Sequence, residues 1–262
     1  MRIAVLTTNE PLHHPAFFAR FLEARAKDTV GLFICHPLDA EGRPRSSWWM
    51  FRRYVGAFGW RNGLRLAWRV AVAATKNALG IGRRRGRFHS IEAVARHYGV
   101  PAEPVANVNA PAFLERLRGL GADLVLSVSC PQVFREDLVN LPRLGCLNIH
   151  GADLPAYRGL LPSFWMLAND EREAGVTIFY VNAGIDTGDV LGKRRFPIEP
   201  GDTLHSFLVR AKQEACGLAL EALERIEKGT ATRTPLSGEG SYFKWPTREA
   251  YRRFRKAGRR LW

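Results

Sequence analysis

The fold class of this chain is indicated by residues Gly121 to His150, which read GADLVLSVSCPQVFREDLVNLPRLGCLNIH. It contains two short apolar runs, Asp123–Val128 and Gly145–His150, which have the length and composition of buried strands. Between them, Pro131–Val139 is predicted to form a helix. A strand, a helix and a second strand in succession predict a parallel pair joined by a right-handed crossover.

The same alternation continues on both sides of this stretch. Further strands are predicted at Ile3–Thr7, Thr29–Cys35, Val176–Val181 and Val190–Pro197, and helices at Pro15–Lys27, Ile91–Tyr98, Pro111–Leu120, Pro162–Asn169 and Thr203–Lys228. This order predicts an α/β fold with a parallel-rich twisted sheet. We expect a catalytic domain over residues 1–228 that carries a helical basic insertion at about residues 42–88, followed by a short basic aromatic C-terminal extension over residues 229–262.

The net charge of +14 is concentrated in two segments. Residues 42–91 contain 12 Lys and Arg and no acid, and residues 244–262 contain eight Lys and Arg and one acid, Glu249. This asymmetry indicates an anionic partner, such as a phosphate-bearing substrate, nucleic acid or an acidic membrane face. A solvated basic surface without a specific partner is the alternative.

One helix in the first basic segment has a broad apolar face, which contains Leu64, Trp68, Ala71, Val72 and Leu79. An apolar arc of this width must be covered by something. We expect it to pack on its own domain or on the second subunit of a homodimer. The interfacial zone of a membrane is the third candidate, which would make the protein a peripheral membrane protein.

The cysteines and the N-terminus indicate a cellular compartment. Cys35, Cys130, Cys146 and Cys216 have no spacing typical of a metal site, and three of them lie in apolar runs. They predict buried free thiols in a reducing environment and no bound metal. The first apolar run is too short for a signal peptide, and no apolar stretch is long enough to span a bilayer, so we expect a cytoplasmic protein.

The candidate catalytic groups follow the strand at Gly145–His150. Asn148 and His150 are two residues apart, so on a strand they project to the same side, at the carboxyl end where open α/β sheets bind ligands. Asp186 lies in a Gly-Ile-Asp-Thr-Gly turn, and its glycines allow the carboxylate to return over the strand end. An amide, an imidazole and a carboxylate are therefore predicted to meet.

These three groups suit acyl transfer to an amine. The Asn148 amide and a His150 N–H can stabilise an oxyanion, and His150 can move protons because its pKa lies near neutral pH. Asp186 can orient His150, favour its protonated form or accept the amine proton through water. Each residue also has a structural interpretation: Asn148 as an amide that binds backbone, His150 as a satisfied core histidine, and Asp186 as a turn cap.

The stretch GIGRRRG at Gly80–Gly86 is not predicted to be a dinucleotide-binding loop, because it follows no strand and has the wrong spacing.

The motifs around these residues closely resemble the folate-dependent formyltransferase family, which includes methionyl-tRNA formyltransferase, glycinamide ribonucleotide formyltransferase and the sugar N-formyltransferases. The resemblance covers about residues 91–228. It is carried by Asn148-Ile-His150, Leu154-Pro155-Ala156-Tyr157-Arg158-Gly159, Pro162, Gly175-Val-Thr-Ile178 and Gly184-Ile-Asp186-Thr187-Gly188. It implies a Rossmann-like fold, 10-formyltetrahydrofolate as the formyl donor, no metal, and catalytic roles for Asn148, His150 and Asp186.

The resemblance also implies where the substrates bind. The folate contacts are expected from Ser127, Val128, Ser129, Cys130, Gln132, Val133, Val181, Asn182, Ala183, Gly184 and Thr187. The acceptor contacts are expected from Tyr157, Arg158, His13 and His14. Many relatives have an acidic residue before the Gly-x-Asp-Thr-Gly turn, whereas Val181, Asn182 and Ala183 stand here, so this loop departs from the family pattern.

The acceptor is expected to be a small phosphate-bearing amine, with an amino sugar on a nucleotide diphosphate as the first candidate. The tRNA-formylating relatives have a C-terminal barrel, for which residues 229–262 are too few, so tRNA and other nucleic acids are disfavoured as partners. Three other functions stay open: a methionyl-tRNA formyltransferase-like enzyme, a formyltetrahydrofolate hydrolase that uses water, and a non-enzymatic basic protein that binds nucleic acid or membranes.

Overall fold

The computed structural model of the chain describes residues 1–262, which divide into two units. The first comprises residues 1–46, 67–149 and 180–183, and the second comprises residues 47–66, 150–179 and 184–262. In chain order the elements are β1 (Ile3–Thr8), α1 (His14–Arg25), β2 (Thr29–Cys35), α2 (Ser47–Phe58), α3 (Trp60–Ala78), α4 (Ile91–His97), β3 (Ala102–Val105), α5 (Pro111–Gly119), β4 (Leu124–Val128), α6 (Glu136–Val139), β5 (Cys146–His150), β6 (Arg158–Gly159), α7 (Pro162–Ala168), β7 (Glu173–Tyr180), β8 (Val190–Pro197), α8 (Leu204–Glu227), β9 (Tyr242–Phe243) and α9 (Arg248–Lys256).

The first unit is built on a parallel sheet, which confirms the predicted α/β class. Its strands lie in the order β3-β2-β1-β4-β5, and every pairing among them is parallel. Ala4 and Leu6 of β1 belong to one buried cluster with Phe33, Val125 and Phe113. Since the strands run in the same direction, the carboxyl ends of β1, β4 and β5 lie at one edge of this sheet.

Two parts of the first unit differ from the sequence-based expectation. The helix predicted at Pro131–Val139 begins only at Glu136, because the preceding loop is held by side chains rather than by helical hydrogen bonds. In that loop Gln132 donates to the carbonyls of His36 and Ala106, both at 2.9 Å. The strand at Ala102–Val105 was not predicted, and its proline is tolerated because β3 lies at the sheet edge.

The second unit contains an antiparallel pair and a short parallel pair. Strands β7 and β8 pair antiparallel, and β6 pairs with β9 in parallel. Thr203 caps α8 with its hydroxyl and forms a capping box with Ser206. The expected helix from Thr203 to Lys228 is confirmed within a residue at each end.

The basic segments of the second unit have apolar inner faces. Phe164 of α7 contacts Phe58 of α2, with ring centroids 5.4 Å apart, and Phe254 of α9, with centroids 5.1 Å apart. Phe254 is fully buried, and Trp165 donates its indole N–H to the carbonyl of Lys244 at 3.0 Å. The C-terminal segment, for which only turns and a basic tail were predicted, therefore contributes a strand, a helix and part of this core.

The long helix α3 leaves exposed most of the apolar face that was expected to pack on its own domain or on a second subunit. Leu64, Trp68 and Leu79 are all exposed, and Val72 is half-buried. Gly63 and Ala73 occupy the buried side instead. None of the helices combines the length and hydrophobicity that a bilayer crossing requires. All four cysteines are free thiols, and three of them are buried.

Thr177 of β7 holds the chain that follows β5. Its side chain is fully buried, donates to the carbonyl of Ala152 at 2.7 Å and accepts the N–H of Leu154 at 3.1 Å. Gly175 on the same strand lets this loop approach closely, because a Cβ there would lie 2.7 Å from the Cβ of Asp153. The Thr177 hydroxyl thus helps to anchor the segment after His150 to β7.

We predict that Thr177→Val lowers the free energy of unfolding by about 2 to 4 kcal/mol, because the isosteric side chain leaves two buried backbone groups without partners. Urea denaturation measures the change. Thr177→Ser is the matched control: it keeps the hydroxyl and removes one methyl group, at a cost of about 1 kcal/mol. Equal stabilities of the two variants would contradict the anchoring role.

Candidate active site

Strand β5 positions the first two candidate catalytic residues. Asn148 is half-buried and His150 is buried, and the alternation of the strand directs both side chains to the same side. In the parallel pairing of β4 with β5, Ser127 stands opposite Asn148. The Asn148 amide therefore lies at the carboxyl edge of the sheet of the first unit, as the sequence predicts.

A backbone carbonyl determines which nitrogen of His150 carries a proton. The Nε2 atom lies 2.8 Å from the carbonyl oxygen of Tyr157. Since a carbonyl only accepts, Nε2 must be the donor, and in the neutral imidazole Nδ1 is then left with a lone pair. The nitrogen of His150 that can accept a proton is therefore Nδ1.

Asp186 lies on the Nδ1 side of the imidazole. Its Oδ2 atom is 3.6 Å from Nδ1 of His150 and accepts the backbone N–H of Gly159 at 2.9 Å. The 3.6 Å distance exceeds that of a direct hydrogen bond, so the Tyr157 carbonyl rather than Asp186 sets the orientation of the ring. Asp186 has a φ of +53°, a left-handed conformation that aspartate tolerates better than most residues.

The segment Tyr157–Gly159 thus bonds to both ionisable groups, and the C-terminal segment holds it in place. Ser241 accepts the N–H of Tyr157 through its hydroxyl oxygen at 2.9 Å. The Tyr157 ring stacks on Phe243 with centroids 5.0 Å apart. Gly159 has a φ of +94°, and a Cβ there would lie 2.3 Å from the carbonyl oxygen of Phe243. Only glycine fits this position.

The Tyr157 side chain, for which an acceptor contact was expected, makes contacts within the chain. Its hydroxyl donates to the carboxylate of Glu171 and accepts the Asn169 amide at 3.0 Å. Burial and then the Glu171 hydrogen bond raise the pKa of Tyr157 to about 12. The phenol therefore stays protonated at neutral pH. Arg158 is half-buried, and its Nε atom is buried without a hydrogen-bond partner.

His13 and His14 are buried near the start of α1, where they make structural contacts. Nδ1 of His13 lies 3.2 Å from the Glu10 carboxylate, and Nδ1 of His14 lies 3.1 Å from the Thr8 carbonyl. Burial opposes the charge of Glu10, but the hydrogen bond and charge of His13 prevail and lower the pKa of Glu10 to about 2. The expectation that these histidines face an acceptor finds no support in these contacts.

The residues expected to contact folate in the first unit fall into exposed and buried groups. Ser129 and Val133 are exposed, and Ser129 has a φ of +58° just after β4 ends. The buried group comprises Ser127, Val128 and Gln132, while Cys130 is half-buried. The Gln132 amide is saturated, because it also accepts the N–H of Val108 at 2.9 Å. Gln132 therefore shapes the loop rather than offering a free amide.

The loop before Asp186 starts beside β5. Val181 donates its N–H to the carbonyl of Cys146 at 2.8 Å. Asn182, Ala183 and Gly184 are exposed, and Thr187 is half-buried. The expected folate contacts in this loop thus lie on accessible backbone that begins at the strand of Asn148.

The backbone groups and the tail residues that support the site could not be predicted from the sequence. The Tyr157 carbonyl and the Gly159 N–H are main-chain atoms, which no side-chain pattern reports. Ser241 lies in the glycine-containing stretch Ser237–Ser241, whose composition is typical of a turn. Its contact with Tyr157 spans 84 residues of chain, so no local pattern predicts it.

The comparisons with known proteins point to one family. A family model described as formyl transferase matches residues 62–223. The methionyl-tRNA formyltransferase of Citrifermentans bemidjiense is 36% identical over 139 residues, which make up 53% of this chain and 44% of that protein. The chain spans about half the length of the curated relatives it matches.

Solved structures show the same fold at lower identity. Glycinamide ribonucleotide transformylase 1 from Symbiobacterium toebii is similar with a TM-score of 0.59, at 20% identity over 94% of each chain. An N-formyltransferase from Helicobacter canadensis, in complex with folinic acid and dTDP-3-aminofucose, has a TM-score of 0.58 at 17% identity, over 95% of this chain and 72% of that one.

Proposed function

Because this chain belongs to the formyl transferase family, we propose that it moves a formyl group from 10-formyltetrahydrofolate to the nitrogen of an amine. The observation that carries the proposal is the convergence of His150 and Asp186 on the segment Tyr157–Gly159, at the end of the strand that also holds Asn148. The Helicobacter canadensis relative in complex with folinic acid supports a folate donor.

The chemistry follows from the positions of the donors. The amine attacks the formyl carbon, and the Asn148 amide donates to the oxygen that becomes negative. Nδ1 of His150 accepts the proton that the amine loses. The resulting imidazolium has N–H groups directed at the Tyr157 carbonyl and toward Asp186, whose negative charge stabilises it. The proton then passes to N10 of the folate as the bond from carbon to N10 breaks, which yields a formamide and tetrahydrofolate.

The donor is proposed to lie along the exposed backbone before Asp186 and after β4. Asn182, Ala183 and Gly184 are exposed residues, as is Ser129. Val133, which is exposed, offers an apolar surface. Val181 fixes the start of the first of these segments beside β5.

An amino sugar linked to a nucleotide diphosphate is our first candidate for the acceptor. Arg158 stands next to Gly159, and the positive charge of its half-buried guanidinium is suited to a phosphate group. Methionyl-tRNA is the second candidate, because curated relatives at about one-third identity carry that name. The strong positive charge of the chain is compatible with either phosphate-bearing acceptor.

We predict that His150→Ala and Asp186→Ala each reduce kcat/KM for formyl transfer by at least about 100-fold, since each removes a proton-transfer or charge-stabilising group. Asn148→Ala is expected to lower kcat by a similar factor. The control is His97→Ala, an exposed histidine on α4, which should stay within a few-fold of the wild type. Triad variants that fold and retain wild-type rates would refute the assignment.

A panel of amines tests the acceptor class. The protein is incubated with 10-formyltetrahydrofolate and a dTDP- or UDP-linked amino sugar, methionyl-tRNA, glycinamide ribonucleotide or no amine. Mass spectrometry then reads the gain of one formyl group. We predict formylation of the nucleotide-linked amino sugar and a lower rate for Arg158→Ala. Formylation of methionyl-tRNA alone would establish the second candidate, and formyl loss at the same rate without amine would identify a hydrolase.

A further inference from the structure

Helix α3 directs its largest apolar side chains to the solvent. Trp60, Leu64 and Trp68 are 63%, 56% and 70% exposed. They are spaced four residues apart, so they form one stripe along the helix. Two exposed tryptophans flanking a leucine on one helical stripe are unusual on a protein surface and mark a surface that binds something.

The opposite side of α3 is built for close packing. A Cβ on Gly63 would lie 2.5 Å from Cγ2 of Val55, so no larger side chain fits there without displacement. Ala73 is also buried on this side. Rotation of the helix to bury its tryptophans would turn Gly63 away from Val55 and place a larger side chain against α2.

The exposed stripe is bordered and extended by cations. Arg61, Arg65 and Lys76 are exposed on the adjoining part of α3. Beyond the helix, Leu79 and Ile81 extend the exposed apolar surface. In the arginine-rich turn that follows, Arg83 donates to the Asn77 carbonyl at 2.7 Å. Residues 42–91 contain no Asp or Glu to neutralise this charge.

The charges distinguish between the two occupants that could cover such a face. A second copy docked on the same stripe would bring the Arg61, Arg65 and Lys76 clusters of both copies together with no acid in residues 42–91 to separate them. A bilayer with anionic lipids offers apolar depth for the tryptophans and negative headgroups for the flanking cations. Tryptophan prefers this zone because its ring is apolar and its N–H is polar.

We propose that α3 is a peripheral membrane anchor, which lies in the plane of the headgroups with Trp60, Leu64 and Trp68 inserted and with Arg61 and Arg65 bound to anionic lipids. None of these residues is among those assigned to formyl transfer. It would keep the protein at a membrane whatever amine it formylates. Its test therefore does not depend on the proposed activity.

Co-sedimentation of the full chain with vesicles tests this proposal. We expect binding to phosphatidylcholine vesicles that contain phosphatidylglycerol, weakening as salt is raised, and a blue shift of tryptophan emission. The double variant Trp60→Ser and Trp68→Ser should show no blue shift, and its affinity for the vesicles should fall at least about tenfold. The variant Arg61→Gln and Arg65→Gln should lose at least about tenfold in affinity.

The matched control is Arg116→Gln with Arg118→Gln on α5, which removes two positive charges from exposed positions elsewhere. It should bind vesicles as the wild type does. A far-UV circular dichroism spectrum and a thermal unfolding midpoint like those of the wild type show that the tryptophan variant folds.

Several outcomes would overturn the proposal. One is vesicle binding that the tryptophan variant retains, and another is binding that does not require the anionic lipid. A third is RNA binding that depends on Arg61 and Arg65 in a protein that does not bind vesicles. A dimer that Trp68→Ser converts to monomer, again without vesicle binding, would show that the stripe is a self-association surface.

Discussion

The proposed catalysis depends on one short piece of backbone. The Tyr157 carbonyl accepts the N–H of His150 at 2.8 Å, and the Gly159 N–H donates to Asp186 at 2.9 Å. The first contact selects the tautomer in which Nδ1 is free, and the second holds a carboxylate 3.6 Å from that nitrogen. If the segment Tyr157–Gly159 moved, both ionisable groups would lose their orientation together.

This segment depends in turn on the C-terminal part of the chain. Ser241 and Phe243 hold Tyr157 from one side, and β9 pairs with β6. The basic character of the tail had suggested an appended partner-binding arm, but Phe254 is fully buried beside Phe164. The tail therefore combines an inner aromatic face with an outer basic face, and only the outer face is free for a partner.

The strands of the first unit could be predicted because their apolar runs are continuous and their turns contain glycine. Asn148 and His150 could be placed because strand alternation is strictly local. The Ala102–Val105 strand was missed because an edge strand containing a proline has little β-character. The buried His14 and the saturated Gln132 could not be recognised, since burial arises from distant elements. The apolar stripe of α3 could be found from its periodicity, but periodicity does not tell whether the chain itself or another molecule covers the stripe.

The substitution Gly159→Ala tests whether the Tyr157–Gly159 backbone organises the catalytic groups. The added Cβ would clash with the Phe243 carbonyl at 2.3 Å and displace the N–H that binds Asp186. Gly42→Ala is the control for positive φ alone, because Gly42 has a φ of +78° with open space around it. We expect the folded Gly159 variant to lose at least about 100-fold in kcat for formyl transfer, the scale of a displacement of about 1 Å in a catalytic group, while Gly42→Ala keeps its rate. Equal rates in the two variants would contradict the organising role of this backbone.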